Sequence, residues 1–181
     1  MAGASIVLRR LRAEELGQVA EIDRTERIDA IYLQDGSALV IREGDFSAPP
    51  WFREGEGEHS VAAQRAELEA WMNDGAAVLG AFEGERLVGV GVVVTTTRPG
   101  MAQLAFLHVT DGRRARGIGG LLSDELERIA RDAGAASIVV SATPSVNTVD
   151  FYRHRGYEPM AEPLPELFEV EPEDVHLRKD L

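Results

Sequence analysis

The stretch that decides the fold is RARGIGGLL, which occupies residues 114–122. An apolar, strand-like run at 104–109 precedes it, and an amphipathic helix begins inside it. The apolar stripe of that helix consists of Ile118, Leu122, Leu126, Ile129 and Ala133. Glycine has no Cβ, so the backbone of this turn can fold tightly and direct its N–H groups at a ligand. A helix N-terminus adds unpaired N–H donors and partial positive charge, and arginine adds donors that suit phosphate. Strand, turn and helix together predict a phosphate-binding site.

The length and composition predict a single domain, residues 1–181. The sequence contains no cysteine. A chain of this length with 44% hydrophobic residues can bury its own core. No apolar run approaches the ~18 residues that span a membrane, and the N-terminus does not read as a signal peptide. We therefore expect a cytoplasmic protein with no membrane partner. The lack of cysteine excludes disulfides, thiolate metal sites and a covalent cysteine intermediate. The histidines His59, His154 and His176 lack metal-ligand spacing, so we expect no metal.

The charge is strongly negative and unevenly spread. A net charge of −12 argues against nucleic acid as a partner, because nucleic-acid binders rely on basic contacts to phosphate. The segment 43–58 has five acids and one arginine, and the segment 158–174 has seven acids and no base. Such runs are often solvated loops. The alternative is an acidic rim that attracts a cationic ligand.

The order of predicted elements indicates a mixed α/β fold. In the first half of the chain we expect a strand at 5–10, a helix at 13–26, a hairpin at 28–42 that turns at Asp35-Gly36, a helix at 60–73 and a second hairpin at 77–95. A strand at 101–109 and the helix that begins near Ile118 follow. The last elements are a buried strand at 136–141, a helix that begins at Thr143-Pro144, and closing strands at 157–160 and 175–179. This order is typical of a mixed sheet with helices on both faces.

At these residues the chain resembles the GNAT superfamily of N-acetyltransferases, over about 5–12 and 76–181. The family's acyl-CoA motif, Arg/Gln-x-x-Gly-x-Gly/Ala, is matched by Arg114, Gly117 and Gly119. Three pieces of context support the match. The run Leu107-His108-Val109 precedes the motif at the spacing of the family's fourth strand. Asn147, Phe151-Tyr152 and Gly156-Tyr157 are similar to the family's Asn…Phe-Tyr…Gly-Phe/Tyr pattern, and 176–181 is similar to its last strand.

The resemblance implies a single GNAT-like acetyltransferase domain. Its sheet would be mixed, largely antiparallel and six- to seven-stranded. The sheet would splay between the family's fourth and fifth strands, here 101–109 and 136–141. The interval 27–58 departs from a minimal family member, because it adds a hairpin between the first two helices. In the family this interval commonly helps to form the acceptor side, so we expect it to influence specificity.

The resemblance also implies acetyl-CoA as cosubstrate. The turn would hold its pyrophosphate on backbone N–H groups. A β-bulge near His108-Val109 would free backbone groups for the pantetheine amides. By the same resemblance Val109 carries the main-chain contact near the acetyl group, and Asn147 hydrogen-bonds the pantetheine arm. The expected acetyl-CoA-binding residues are Leu107, His108, Val109, Arg114, Arg116, Gly117, Ile118, Gly119, Gly120, Asn147 and Tyr152.

Acetyl transfer to an amine poses two proton problems. The departing thiolate must gain a proton, and Tyr152 lies at the position that serves as general acid in many family members. The attacking amine must lose a proton, and here the sequence leaves alternatives open. His108 has a side chain that titrates near neutral pH, Glu26 ends the predicted first helix, and an ordered water could relay the proton instead.

These observations predict direct transfer of an acetyl group from acetyl-CoA to a primary amine, with a cationic small molecule as acceptor. The absence of cysteine argues against an acetyl-enzyme intermediate. Two alternatives remain: acetylation of a protein N-terminus or lysine, and a non-catalytic, regulatory acyl-CoA-binding module. The glycine spacing does not fit a nucleotide triphosphatase or a dinucleotide oxidoreductase. We expect a monomer or a homodimer.

Overall fold

The computed structural model describes residues 5–181, so residues 1–4 of the expected domain lie outside it. The strands in this range are β1 (Ile6–Arg10), β2 (Glu26–Asp35), β3 (Ala38–Ala48), β4 (Ala77–Glu83), β5 (Arg86–Arg98), β6 (Met101–Val109), β7 (Ser137–Ala142), β8 (Glu158–Pro159) and β9 (Val175–Asp180). The helices are a 3₁₀ helix (Ala13–Glu21), α1 (Val61–Asn73), α2 (Ile118–Asp132), α3 (Val146–His154) and α4 (Pro165–Phe168). No helix among the described residues is long and apolar enough to cross a membrane.

Seven strands form the main sheet, in the order β1-β4-β5-β6-β7-β9-β8. All neighbours are antiparallel except β6 and β7, which are parallel. Their ladder holds only the pairs Met101–Ser137, Ala102–Ile138 and Gln103–Val139. Beyond Gln103 the two strands separate, and we call the gap between 104–109 and 140–142 the splay. The expected splay between the family's fourth and fifth strands is therefore confirmed.

Helices cover both faces of the sheet, as expected. Helices α2 and α3 pack on one face through a core that includes Leu122, Leu126 and Val149. Helix α1 and the 3₁₀ helix pack on the other face, where Leu16 and Leu68 are buried. Strands β4 and β5 are buried on both faces, which explains their nearly continuous apolar sequences. Between the two faces, the ladder of the sheet is interrupted at the splay.

The additional hairpin is present as a separate two-stranded sheet, β2–β3, between the 3₁₀ helix and α1. Its strands are longer than predicted, because β3 continues to Ala48 into the segment expected to be a loop. The hairpin is attached to α3 and β8. Tyr32 N–H donates to Pro144 O at 2.8 Å, and its hydroxyl donates to Asp150 Oδ1 at 3.0 Å. Gln34 Nε2 donates to Met160 O at 2.9 Å.

Two predicted helix boundaries are wrong, for local reasons. The first helix was expected to reach Glu26 but ends at Glu21. The Asp23 carboxylate accepts from Thr25 N–H at 2.9 Å, and this turn ends the helix, so Glu26 begins β2. The fourth helix was expected to begin at Thr143-Pro144. Its N-cap is instead Ser145, whose hydroxyl accepts from Thr148 N–H at 3.2 Å.

Candidate active site

The turn before α2 presents backbone N–H groups to solvent. Gly112, Ala115 and Gly117 have φ of 74°, 59° and 80°, so the chain repeatedly enters the left-handed region. Gly117 is the N-cap of α2 and provides no side-chain cap. The N–H groups of Ile118, Gly119 and Gly120 therefore lack intrahelical partners. Such a concave row of donors at a helix N-terminus can bind a pyrophosphate. Arg116 is exposed beside it.

Arg114 holds this turn in place. Its Nη1 donates to Thr25 O at 2.8 Å, and its Nε donates to Val109 O at 3.2 Å. On the other side, Arg113 makes a two-pronged ion pair with Glu83, with its Nη2 2.7 Å from Oε2. The guanidinium of Arg114 thus joins the turn to the end of β6 and to the segment before β2. In this structure the Arg114 side chain folds back to hold the turn and does not project from it.

Arg155 of α3 lies next to the same turn, and the sequence analysis missed it. A Cβ added to Gly120 would be 3.3 Å from Arg155 Nη1. Arg155 Nε donates to Ser123 Oγ at 3.1 Å, and its guanidinium also pairs with Asp124. The spacing of Phe151 and Arg155, four residues apart on α3, is the only sequence signal that could have indicated it. Arg155 adds a cation where the helix N-terminus already favours an anion.

The edge of β6 at the splay has free backbone groups. Thr110 N–H donates to Val88 O on β5 at 2.9 Å. Since backbone groups alternate along an antiparallel ladder, the N–H and C=O groups of Leu107 and Val109 point the other way, into the splay. The Val109 carbonyl accepts from Arg114. The N–H of Val109 and both backbone groups of Leu107 remain available to a ligand. An extended chain that carries amides, such as pantetheine, could pair with this edge.

The predicted bulge position is wrong. Phe106 lies opposite Val92 and Leu104 lies opposite Val93, so the extra residue is Ala105, not His108-Val109. Because of the extra residue, side chains two positions apart point to opposite faces of the sheet. Leu104 packs with α2, whereas Phe106 packs with α1. No turn residue or glycine marks this position, so only the observed register reveals it.

Tyr152 lies on α3 and belongs to the core between this helix and the sheet. Only 4% of the residue is exposed, and its ring packs against Phe151 and Tyr157 with centroid distances of 5.0 and 5.3 Å. Burial raises its pKa, the Arg155 cation opposes this rise, and the Asp174 carboxylate adds to it. The phenol is therefore protonated at neutral pH and can donate its proton. No hydrogen bond from its hydroxyl to another residue of 5–181 is present.

Asn147 and Glu26 meet at the start of α3. Asn147 Nδ2 donates to Glu26 Oε1 at 3.1 Å, and Asn147 is exposed. The two predicted site residues are thus neighbours, although 121 positions separate them in the chain. A carboxylate in this position can hold the amide so that its remaining donor and acceptor face a ligand.

His108 points to the α1 face. Its ring packs against Phe106 and Trp51, with centroid distances of 4.5 and 5.1 Å. Burial, together with the nearby cations of Arg24 and Arg114, lowers its pKa to about 4. The imidazole is therefore neutral at pH 7 and too weak a base to be well matched to an ammonium proton. Trp51 is buried in the core against Phe106, whereas Phe52 is exposed.

The acidic segment 158–174 is more structured than a solvated loop. It contains β8 and α4, and its last residue, Asp174, directly precedes β9. Burial, reinforced by the Glu171 carboxylate, raises the pKa of Asp174 to about 7. Composition suggested an acidic rim here but did not single out any carboxyl group. Within the described residues, no group of three or more His, Asp or Glu side chains could hold a metal ion.

A wide cleft of about 660 Å³ lies outside the splay, between the hairpin and α3. Tyr32, Asp150 and Arg153 are among the residues that line it. Arg153 Nη1 donates to the Tyr32 hydroxyl at 3.3 Å, so these polar groups are engaged with one another. None of the predicted site residues lines this cleft.

Comparison with known proteins identifies the family. A family model described as the acetyltransferase (GNAT) family matches residues 43–157. A curated relative, the uncharacterized N-acetyltransferase YjcF of Bacillus subtilis (strain 168), is 29% identical over 105 residues, which are 58% of this chain and 71% of that protein.

Solved structures share the fold over nearly the whole chain. Nourseothricin acetyltransferase superposes with a TM-score of 0.72 and 12% identity, covering 97% of this chain and 98% of its own. PaiA N-acetyltransferase from Thermoplasma acidophilum, in complex with coenzyme A, has a TM-score of 0.65 and 18% identity, with coverage of 98% and 99%. A candidate streptothricin acetyltransferase from Bacillus anthracis str. Ames, in complex with acetyl coenzyme A, has a TM-score of 0.73 and 14% identity. The match covers 98% of this chain and 99% of that one.

The uncapped N-terminus of α2 and the free edge of β6 fit such a cosubstrate, because they offer donors for a pyrophosphate and pairing groups for an amide chain. The family match extends over more than half of the sequence. The chain belongs to the GNAT family of acetyltransferases, and its cosubstrate is acetyl-CoA.

Proposed function

We propose that this protein transfers the acetyl group of acetyl-CoA directly to the primary amine of a cationic small molecule. One combination carries the proposal: β6 has a free edge where its ladder with β7 ends, and α3, which packs on one face of the same sheet, carries the protonated phenol of Tyr152. The first can bind a thioester-bearing arm, and the second can protonate the thiolate that leaves it. A non-catalytic binding module would need the edge but not the acid.

Two features support direct transfer. The chain has no cysteine that could carry the acetyl group. The two faces of the sheet communicate through the splay, so the cosubstrate can approach from the α2–α3 side and the acceptor from the α1 side. The amine nitrogen then meets the thioester carbonyl carbon without a covalent enzyme intermediate. Ping-pong kinetics, or an acetylated enzyme trapped in the absence of acceptor, would contradict this mechanism.

A cationic acceptor is favoured by charge. The chain carries −12 overall, and its segment 158–174 holds seven acids and no base. Two proteins that share the fold are named as acetyltransferases of nourseothricin and streptothricin, so both compounds belong among the acceptors to be tested.

The proposal is tested by CoA release against matched acceptors. The panel pairs a diamine with the monoamine of equal chain length, and adds both antibiotics and peptides with a free N-terminus or lysine. We expect the diamine to have the higher kcat/KM at low salt, and we expect this preference to shrink as ionic strength rises. Activity only on peptides would favour the protein-acetylating alternative. Acetyl-CoA binding with no turnover of any amine would favour the non-catalytic one.

A further inference from the structure

The side chain of Arg155 lies across the first turn of α2. Arg155 is the C-cap of α3, and only 19% of its side chain is exposed. A Cβ on Gly120 would be 3.3 Å from its Nη1, and a Cβ on Gly119 would be 3.5 Å from the ring of Phe151. The guanidinium carbon lies 5.5 Å from the centroid of that ring. The two glycines thus let side chains of α3 approach the backbone of α2 where its N–H groups lack intrahelical partners.

Buried side chains fix one end of this guanidinium. Arg155 Nε donates to Ser123 Oγ at 3.1 Å, and Ser123 is fully buried. The Ser123 hydroxyl donates its own hydrogen to Glu127 Oε1 at 3.3 Å, so its oxygen is free to accept from Arg155. Glu127 is 2% exposed, and it also accepts from the Tyr157 hydroxyl at 3.2 Å and from Lys179 Nζ at 2.7 Å. Breaking up a buried, paired carboxylate is costly, so Nε keeps its place.

The other end of the guanidinium is held only from the surface. Its Nη2 pairs with Asp124, whose side chain is 68% exposed. An ion pair with such an exposed partner contributes little to stability, because water solvates the carboxylate when the pair opens. Within residues 5–181, Arg155 Nη1 makes no hydrogen bond. This arginine therefore has one replaceable partner and one unpaired donor group, and the unpaired group is the one nearest Gly120.

A phosphate group suits both Nη groups of Arg155. Phosphate oxygens match the planar donor fork of a guanidinium as well as a carboxylate does. The pyrophosphate of acetyl-CoA carries two negative charges, against one on Asp124. It would also accept from the backbone N–H groups at the start of α2, which the Asp124 carboxylate does not reach in this structure. The cosubstrate can therefore compete with Asp124 for the same cation.

We propose that Arg155 binds the pyrophosphate of acetyl-CoA, and that Asp124 occupies its Nη2 until the cosubstrate arrives. Phosphate oxygens then replace the Asp124 carboxylate at Nη2 and accept from Nη1, while Nε stays on Ser123. No covalent bond changes in this exchange. The inference rests on the acetyl-CoA site of the proposed function and is independent of which amine accepts the acetyl group.

The main test is the calorimetric Kd of acetyl-CoA for Arg155→Gln, beside the matched control Arg153→Gln. Arg153 lies two residues earlier on α3, is 47% exposed and pairs with Asp150. We expect Arg155→Gln to bind acetyl-CoA about 10–100-fold more weakly, the scale for a lost charge-assisted contact to phosphate. Arg153→Gln should stay within about twofold of wild type. Unchanged affinity in a folded Arg155→Gln variant would overturn the inference.

Asp124→Asn gives a readout that a merely structural ion pair would not move. Removing a competing carboxylate should tighten acetyl-CoA binding about 2–5-fold, whereas a purely structural pair would yield no gain. The gain should vanish in the double variant Arg155→Gln/Asp124→Asn, because no arginine is left to release. A gain of the same size without Arg155 would show simple charge repulsion and would overturn the exchange.

A second ligand distinguishes the phosphates of the cosubstrate. Acetyl-dephospho-CoA lacks the 3′-phosphate but retains the pyrophosphate, so Arg155→Gln should weaken its binding by the same factor. A loss confined to acetyl-CoA itself would overturn the assignment to the pyrophosphate. Failure of the proposed function looks different: the wild-type enzyme then acetylates no amine, while the affinities of the variants still change as described.

Discussion

The turn before α2 and the acidic segment 158–174 are built in opposite ways. The turn is one continuous segment, 112–120, whose donors are backbone N–H groups fixed by left-handed glycines and by Arg114. The acidic segment instead carries titratable side chains, and Asp174 at its end is placed by the pairing of β9 with β7. A local site of neutral donors can be read from sequence and should be insensitive to pH. A site assembled over long range from carboxyl groups is hidden in sequence and should respond to pH and salt.

The largest expected effect concerns Tyr152 on α3, the proposed proton donor. Tyr152→Phe retains the ring and its contacts with Phe151 and Tyr157 but removes the hydroxyl. We expect kcat to fall about 100-fold, since positioned acid catalysis contributes ~10²–10⁴-fold and a thiolate is already a fair leaving group. Acetyl-CoA affinity by calorimetry should stay the same, because the proton transfer matters only in the transition state. A kcat within about twofold of wild type, with chemistry rate-limiting, would make water the proton source.

The next effect concerns the turn alone. Arg114→Ala removes two hydrogen bonds that hold the turn to Val109 and Thr25. We expect acetyl-CoA to bind about 10–100-fold more weakly, a loss of ~1–3 kcal/mol, at every pH between 6 and 8. Arg128→Ala is the matched control, because Arg128 is an exposed α2 arginine paired only with Glu125 and Asp132. Equal affinities of the two variants in calorimetry would remove Arg114 from the account.

A smaller effect distinguishes His108 on β6 from the acidic segment by the pH dependence of stability. In the folded protein the pKa of His108 is lowered to about 4, so as pH falls below 6.5 the unfolded chain takes up this proton more readily than the folded one. His108 therefore lowers the free energy of unfolding as the solution becomes acidic. In the folded protein the pKa of Asp174 is raised to about 7, so the folded chain holds this proton more tightly than the unfolded one. The resulting contribution to the free energy of unfolding is complete below about pH 4 and is lost as pH rises through 7. Denaturant unfolding at pH 4.5 and 6.5 should show opposite changes for the two asparagine variants.

We compare the free energy of unfolding of each variant with that of wild type. For His108→Asn this difference should become less favourable from pH 4.5 to pH 6.5, and for Asp174→Asn it should become more favourable. Each change should be on the order of 1 kcal/mol. Changes of the same sign in both variants would show that the environment of one of these groups is not the one described.

The smallest effect is expected at Glu26. Glu26→Gln retains an oxygen that can accept from Asn147 Nδ2, so the amide stays in place. We expect kcat to change less than about threefold and the acidic limb of the pH–rate profile to remain, since another group takes the amine proton. A tenfold loss together with loss of that limb would return Glu26 to the role of base.

Much of the fold could be predicted from sequence, because its signals are local. Gly36 (φ 57°) turns the hairpin where Asp35-Gly36 predicted it, and β6 spans the predicted 101–109. The 3₁₀ helix was mistaken for a longer helix because the Asp23–Thr25 turn that ends it depends on side-chain geometry.

The site was predictable in part for the same reason. The turn and Tyr152 follow a sequence pattern, whereas the contact between Glu26 and Asn147 depends on the hairpin lying against α3. The bulge at Ala105 depends on the register with β5, and the environment of Asp174 depends on β9 pairing with β7. These are contacts between residues far apart in the chain, and neither periodicity nor composition encodes them.

Hydrogen exchange with and without acetyl-CoA tests the central claim most directly, namely that the cosubstrate occupies the turn and the free edge of β6. At a concentration of 100 times Kd, amides of 104–109 and 112–120 that face the ligand should exchange up to about 100-fold more slowly, and amides of the β2–β3 hairpin should not change. Protection of the hairpin, or of the cleft between it and α3, with 104–109 and 112–120 unchanged, would contradict the account.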